Sequence, residues 1–176
     1  MCRSCHSWCK SCRLFLEEPA IVQLLLVYFG LPQIIPALTS MTATQASILA
    51  LSLNTVAYLA EVFRAALASV DVGQVEAAMS VGLNYRQTLR GIILPQALRN
   101  ALPGTGNTFV SLMKNSSLAF TIGVVEIVAQ GKILAAASLR FFEVYFAIAL
   151  IYWGLTILYT WIQEWYEDYI DRPYIR

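Results

Sequence analysis

Four cysteines stand close together at the start of the chain, in a pattern that thiolate metal centres use. Cys2, Cys5, Cys9 and Cys12 form C-x2-C-x3-C-x2-C, with His6 between them. Two cysteines with two residues between them can bind one metal ion through their thiolates. The three-residue gap between the two pairs is shorter than the arm of most zinc sites and differs from the common ferredoxin run. We therefore expect no metal site, and the four cysteines remain the alternative ligands of a zinc or iron-sulfur centre.

A second set of polar residues interrupts stretches that are otherwise apolar. The set comprises Glu61, Lys114, Asn115, Ser116, Ser117 and Glu126. An ionisable group at membrane depth is costly, so its presence indicates a functional site. Lys114 is predicted to attract a carboxylate ligand or to pair with Glu61 or Glu126, and snorkelling to an interface is the alternative. The amide and hydroxyl groups beside it are predicted to bind the same ligand or to satisfy helix backbone at a break.

A polar segment between two apolar ones carries the signals of two short helices. Each helix start has a capping-box pattern, in which a capping side chain is followed three residues later by Gln. The two pairs are Asp71 with Gln74 and Asn84 with Gln87. Gly82 can adopt the left-handed conformation that ends the first helix, and Pro95 is predicted to end the second. A helix-turn-helix of roughly 25 residues, against which another protein docks, is therefore predicted within the segment 66–100.

A DNA-binding helix-turn-helix is the competing interpretation of this segment. Its second helix would carry the polar side chains of Tyr85, Arg86, Gln87 and Arg90. The net charge of +1 provides no basic surface for a phosphate backbone, and apolar segments flank the helices on both sides. We therefore expect no nucleic acid partner.

The spacing E-A-A-x3-G-x9-I-x-L-P is filled at every fixed position of the polar segment. The residues are Glu76, Ala77, Ala78, Gly82, Ile92, Leu94 and Pro95. This pattern resembles the EAA motif of the permease subunits of bacterial ABC importers. Further segments, including Lys-Asn-Ser-Ser-Leu at residues 114–118, are similar to the polar amino acid branch, which carries histidine, glutamine, arginine and opines. The resemblance covers residues 19–170.

The resemblance implies a mechanical part in ATP-driven amino acid import. The EAA segment would contact separate ATPase subunits, which hold the ATP and Mg, with Glu76 as polar anchor and with Ala77 and Ala78 allowing close approach. The polar set from Glu61 to Glu126 would line the substrate path. The other implied partners are a second permease subunit, a periplasmic or extracellular solute-binding protein, the amino acid and membrane lipid.

Catalytic signatures do not occur in the sequence. It contains no Walker A loop, no H-E-x-x-H pattern and no recognisable Ser/His/Asp constellation. We therefore expect that the chain is not an enzyme by itself and binds no cofactor, and that ATP hydrolysis takes place in partner subunits.

Composition and segment length predict an all-α, polytopic membrane protein. Hydrophobic residues make up 58% and charged residues 13%, with a mean hydropathy of +0.61. About four transmembrane helices are expected, since about 20 helical residues cross a hydrocarbon core of about 30 Å. The predicted spans are residues 20–36, 43–63, 102–129 and 144–163. Gly104 and Gly106 predict a permissive backbone at the start of the third, and Asn54 is predicted to hydrogen-bond between helices.

The distribution of Lys and Arg predicts the orientation of the spans. The polar segment and its borders carry more basic residues than the region before the last span, where only Lys132 and Arg140 occur. The basic residues of the polar segment are Arg64, Arg86, Arg90 and Arg99. The positive-inside rule places this segment and the C-terminus on the cytoplasmic side of the membrane, and residues 37–42 and 130–141 on the opposite side. The resemblance implies that this membrane is a bacterial inner membrane.

The first 18 residues depart from the pattern of the family. Family members usually begin with one further span, so the front of this chain is interpreted as truncated or altered. The predicted organisation is an atypical head at residues 1–18, a permease domain at 19–170 and a tail at 171–176. A nonfunctional permease remnant is one alternative function, and a membrane metal or redox sensor that uses the head cysteines is the other.

Overall fold

The computed structural model describes residues 19–171, and all regular structure within this range is helical. In chain order the helices are α1 (Ala20–Leu25), α2 (Leu31–Ile34), α3 (Ala43–Ala68), α4 (Val72–Ser80), α5 (Tyr85–Thr88), α6 (Leu94–Asn115), α7 (Ile127–Ser138) and α8 (Phe141–Asp171). Two π turns, Leu26–Gly30 and Leu89–Ile93, and two 3-10 segments, Pro36–Leu38 and Ser116–Ile122, connect some of them. The all-α prediction is confirmed. The candidate ligands Cys2, Cys5, Cys9 and Cys12 lie outside the described residues.

Two of the described helices are long and apolar enough to cross a membrane. They are α3, with 26 residues and a mean hydropathy of 1.5, and Phe141–Ile170 of α8, with 30 residues and a mean hydropathy of 1.8. A third crossing results if Tyr85–Ile122 and Ile127–Ser138, which are bent by 55° at the break between them, form one broken span. Ala20–Ile34 is apolar but shorter. The predicted polytopic helical membrane fold is confirmed. The first predicted span, residues 20–36, corresponds to this shorter apolar segment.

The helices continue through two positions at which the sequence predicted interruptions. Pro95 does not end the helix that starts at Tyr85, because that helix runs through the second π turn into α6. Residues 130–141, predicted as a connection, belong largely to α7, which ends at Ser138. Both predictions relied on local composition alone and were wrong.

The π turns explain how the chain accommodates prolines within helices. Each π turn is followed directly by a Leu-Pro pair, at Leu31-Pro32 and Leu94-Pro95. A proline lacks an amide hydrogen, and its ring collides with the carbonyl four residues earlier in a regular α-helix. In both cases that carbonyl belongs to the π turn, where the wider backbone displaces it from the ring. The helix is therefore widened locally and continues.

The chain packs as two compact units, which are described separately. Among the described residues, the first unit contains 19–57 and 110–158, and the second contains 58–109 and 159–171. Small and aliphatic side chains form the core of the first unit, namely Leu24, Val27, Ala46, Ala50 and Ile122. Beside this core, Nδ2 of the buried Asn54 donates a hydrogen bond of 2.9 Å to Oε1 of Gln23. This bond joins α3 to α1 and confirms the interhelical role predicted for Asn54.

Close helix contacts hold the second unit together. A Cβ atom on Gly104 of α6 would lie 2.7 Å from Cγ1 of Val62 of α3, and one on Gly106 would overlap the amide of Gln163 of α8. Further along α6, the ring of Phe109 stacks on that of Tyr159 with centroids 4.6 Å apart. Gly104 and Gly106 lie within the regular helix α6. The sequence analysis predicted a permissive backbone at the start of a span, and in the structure both glycines permit close packing of helices instead.

Candidate functional site

The docking segment begins at the N-terminal end of α4. Oδ1 of Asp71 accepts a hydrogen bond of 3.0 Å from the amide of Gly73, which confirms the predicted cap. The capping-box prediction is only half correct here. The side chain of Gln74, expected to return a bond to Asp71, instead accepts one from Gln96 at 2.5 Å.

The turn between α4 and α5 is closed by two backbone hydrogen bonds. The amide of Gly82 donates to the carbonyl of Met79 at 3.0 Å, and that of Leu83 donates to the carbonyl of Ala78 at 3.1 Å. This pair of bonds is the Schellman arrangement of a helix end, which requires a left-handed residue after the last turn. Gly82 has a φ of 85° and supplies that residue, as the sequence predicted.

A complete capping box starts α5. The side chain of Asn84 accepts from the amide of Gln87 at 3.0 Å, and the side chain of Gln87 accepts from the amide of Asn84 at 2.9 Å. Thr88, which the sequence analysis did not single out, is fully buried and donates to the carbonyl of Asn84. The helix-turn-helix is therefore held by its own caps and by one buried threonine.

The outer surface of this segment combines a carboxylate with exposed apolar side chains. Glu76 and Ala77 are exposed, and Glu76 makes no side-chain hydrogen bond or ion pair within residues 19–171. Met79, Val81 and Tyr85 follow, with exposed fractions of 52%, 77% and 64%. We call Glu76, Ala77, Met79, Val81 and Tyr85 the docking surface. Ala78 is buried against its own chain, so only Ala77 of the alanine pair leaves room for another molecule.

The second half of the motif lies where the π turn meets α6. Ile92 and Pro95 are half-buried, and Leu94 is exposed. Pro95 also lines an apolar cleft of about 410 Å³ in the second unit, together with residues such as Phe63 and Tyr166. These motif residues therefore shape the entry into α6, while Glu76 and Ala77 face outward.

The polar cluster around Lys114 lies where α6 ends. Lys114 is exposed in the last turn of α6, and Asn115 is half-buried. The hydroxyl of Ser116 donates to the carbonyl of Met113, and that of Ser117 donates to the carbonyl of Lys114, both at 2.7 Å. The serines thus satisfy helix backbone at the change from α6 to the 3-10 segment. Each hydroxyl keeps lone pairs with which it can accept a further hydrogen bond.

The two acidic candidates have partners on their own helices. Glu61 and Arg64, three residues apart in α3, form an ion pair, and Nε of Arg64 donates to Oε2 of Glu61 at 2.8 Å. Glu126 caps the start of α7, because its carboxylate accepts from the amides of Val128 and Ala129 at 2.9 and 2.8 Å. A carboxylate at the positive end of a helix stabilises that end, so the structure gives Glu126 a structural part. Its part in the substrate path stays a prediction.

Sequence reasoning missed two long-range hydrogen bonds of the second unit. Gln96 bonds to Gln74, and Asn100 bonds to Ser69 at 2.8 Å. The only local signal was the spacing of Gln96 and Asn100, which places both side chains on one face of α6. Their partners are 22 and 31 residues away in the chain.

Comparisons with known proteins give the family. The family model of the binding-protein-dependent transport system inner membrane component matches residues 15–172. The probable amino-acid permease protein YxeN of Bacillus subtilis is 56% identical over 160 residues, which cover 91% of this chain and 71% of that protein. The probable amino-acid ABC transporter permease protein PatM of Vibrio harveyi is 46% identical over 162 residues, with coverages of 92% and 73%. Neither alternative function, the nonfunctional remnant or the metal or redox sensor, is supported by these relatives.

Solved structures agree with the sequence relatives. A crystal structure of an amino acid ABC transporter with histidines has a chain that is 36% identical, with a TM-score of 0.82 over 93% of this chain and 73% of that one. The MetNI methionine ABC transporter, at 20% identity and a TM-score of 0.74, shares the fold. The chain therefore belongs to the family of binding-protein-dependent transport system inner membrane components, among its amino-acid ABC transporter permeases.

Proposed function

We propose that this chain is the membrane-spanning permease subunit of an ATP-driven amino acid importer and that it couples to separate ATPase subunits through α4 and the turn after it. The observation that carries the proposal is the complete EAA motif, whose Glu76 and Ala77 face outward on a helix that is capped by Asp71 and closed at Gly82. The amino-acid permeases among its relatives support the substrate class.

The docking surface has the chemistry of a protein interface. Met79, Val81 and Tyr85 expose large apolar side chains on a segment that is otherwise polar, and such patches mark binding sites. Glu76 adds a carboxylate that can accept charge-assisted hydrogen bonds from Arg or Lys of a partner. We infer that an ATPase subunit covers this surface.

Movement of the docked helix would drive the transport cycle. Two ATPase subunits, which bind ATP and Mg, would close on nucleotide and displace α4 as a rigid element, changing access to the path between two permease subunits. A periplasmic or extracellular solute-binding protein would deliver the amino acid to the opposite side. The distribution of Lys and Arg supports a cytoplasmic position for the docking surface in a bacterial inner membrane.

The cluster at the end of α6 suits a zwitterionic amino acid. The ammonium of Lys114 would attract the carboxylate, and Asn115 offers both a donor and an acceptor. The hydroxyl oxygens of Ser116 and Ser117 have donated their hydrogens to backbone carbonyls and can accept from the ammonium group of a substrate. Glu61 and Glu126 would contribute negative charge along the path.

Reconstitution in lipid vesicles tests the proposal. The purified chain should hydrolyse no ATP alone, and it should support substrate-stimulated hydrolysis and uptake of a radiolabelled amino acid once its cognate ATPase subunits, sister permease and binding protein are present. Vesicles without the ATPase subunits are the control. Hydrolysis by the chain alone at ordinary enzyme rates, or no uptake by the complete set, would contradict the proposal.

A further inference from the structure

Two side-chain hydrogen bonds bracket the junction between α3 and α4. Nε2 of Gln96 donates to Oε1 of Gln74 at 2.5 Å, and Nδ2 of Asn100 donates to Oγ of Ser69 at 2.8 Å. Ser69 directly follows the end of α3, and Gln74 lies in the first turn of α4. Val70, between them, is buried. The start of the docking helix is thus fastened to one face of α6 from both sides.

The residues that form these two bonds are also connected to α3 in the second unit. Oγ of Ser69 also donates to the carbonyl of Ala66 at 2.8 Å, which links Asn100 to the last turn of α3. Along α6, Gly104 packs closely on Val62, so α6 and α3 are in contact about one turn further on. A force on α4 would therefore reach α6 through the bond between Gln74 and Gln96, and α3 both through the short junction and through α6.

The backbone alone does not provide this connection. Only residues 69–71 join α4 to α3, and α4 is separated from α6 by the turn, α5 and the π turn. α4 also packs against α5 and against the π turn that leads into α6. The bond between Gln74 and Gln96 adds a direct connection from the first turn of α4 to α6. Packed side chains and hydrogen-bond networks carry coupling between elements, and these two bonds extend such a network from the start of α4 to α6.

We infer that Gln96 and Asn100 are positioning residues that transmit displacement of the docking helix to α6. The inference rests on the proposed function. Gln74 and Ser69 accept the two hydrogen bonds and complete the connection. These residues would touch neither the amino acid nor the nucleotide. Their loss should leave docking intact and reduce the amount of transport obtained for each ATP hydrolysed.

The experiment is uptake and hydrolysis in vesicles that hold the complete transporter. For the double variant Gln96→Leu with Asn100→Leu, the ratio of amino acid transported to ATP hydrolysed should fall by about threefold to tenfold, the factor of one or two hydrogen bonds. The ATPase subunits should co-purify as with the unaltered chain. Gln130→Leu, which removes an exposed amide without a side-chain bond, is the control and should keep the ratio.

A double-mutant cycle separates transmission from general destabilisation. If Gln74 and Gln96 act through their mutual bond, Gln74→Ala with Gln96→Ala should lower the ratio no more than the worse single variant. An unchanged ratio in the Leu variant, or additive losses in the cycle, would overturn the inference. If the Leu variant does not insert into the membrane, the double variant Gln74→Glu with Gln96→Lys provides the test. Its ion pair replaces the hydrogen bond, so the inserted protein should keep the ratio of transport to hydrolysis. A lowered ratio in this variant would contradict the inference. An unaltered transporter without uptake would instead contradict the proposed function.

Discussion

The amide of Leu83 donates a hydrogen bond of 3.1 Å to the carbonyl of Ala78, and this bond closes the turn in the middle of the EAA segment. The bond exists because Gly82, between them, adopts a φ of 85°. The turn sets the direction in which the chain leaves α4 and enters α5. It therefore fixes Glu76 on the first helix relative to Tyr85 on the second, and both belong to the docking surface.

Substitution of Gly82 should uncouple transport from ATP hydrolysis. No atom lies within 4 Å of a Cβ placed on Gly82, so the penalty of Gly82→Val comes from the left-handed backbone, at about 1–2 kcal/mol or more for a β-branched side chain. Uptake should be lost and ATPase co-purification weakened, with membrane insertion unchanged. Gly91→Val is the matched control, because Gly91 also has open space but no positive φ. Normal coupling in Gly82→Val would refute the assignment of the coupling segment.

Charge reversal at Glu76 should weaken the ATPase contact without disturbing the fold. Glu76 is exposed and lies beyond the first turn of α4, so its carboxylate contributes little to the helix end. Glu76→Lys should reduce co-purification of ATPase subunits and substrate-stimulated hydrolysis, more strongly at low ionic strength. Glu164→Lys, a reversal at another exposed acid, should leave both unchanged. Equal effects of the two substitutions would indicate a general charge effect instead.

Local signals in the sequence predicted the parts of the site that are built from neighbouring residues. Asp71, Gly82 and Asn84 were identified as caps or turn residues, and the structure confirms each, because a helix end is closed by groups within about five residues. The long apolar stretches likewise predicted α3 and the last helix. The resemblance to the EAA motif and to further family segments then pointed to the family, which the comparisons confirm.

Contacts between distant residues could not be predicted in the same way. Pro95 looked like a helix end, since local rules do not anticipate a π turn that accommodates its ring. Gly106 was predicted as a permissive backbone position, whereas in the structure the absence of a side chain there leaves room for the amide of Gln163 of α8. Gln96 carried no signal of its partner Gln74. For Gly106 and Gln96 the deciding neighbour is contributed by another part of the chain, whereas for Pro95 it is the π turn directly before it.

Removal of the Lys114 ammonium should impair uptake without affecting assembly. Loss of a charge-assisted contact to the substrate carboxylate corresponds to about tenfold or more in apparent affinity. We expect Lys114→Ala to raise the substrate concentration needed for half-maximal uptake, with ATPase co-purification intact. Lys132→Ala is the control, because that ammonium lies 5.2 Å from the ring centroid of Phe120 on another helix. Unchanged uptake in Lys114→Ala would assign Lys114 to snorkelling.

Two substitutions of Glu126 separate its cap from its charge. Glu126→Ala removes the acceptor for the amides of Val128 and Ala129 and should cost about 1 kcal/mol of stability. Glu126→Asn keeps a capping oxygen and removes the negative charge. The midpoint temperature of unfolding in detergent should therefore fall more for Glu126→Ala than for Glu126→Asn. If Glu126 also takes part in the substrate path, both variants should show reduced uptake. Normal uptake with Asn would limit Glu126 to its structural part.

The stability of the contact between α6 and α3 should depend on the combined side-chain volume of Gly104 and Val62. A Cβ on Gly104 would lie 2.7 and 3.3 Å from the two methyl carbons of Val62, whose branched side chain has little freedom to turn away. Gly104→Ala should therefore destabilise the second unit by about 1–3 kcal/mol, the usual cost of overpacking. Val62→Ala removes the obstructing methyl groups, so the double variant should recover most of the thermal stability and uptake lost in Gly104→Ala. Gly154→Ala, at a position with no neighbour within 4 Å, is the control and should change neither quantity. If the double variant were no better than Gly104→Ala alone, the close approach of these helices at Gly104 would not be what limits the side chain there.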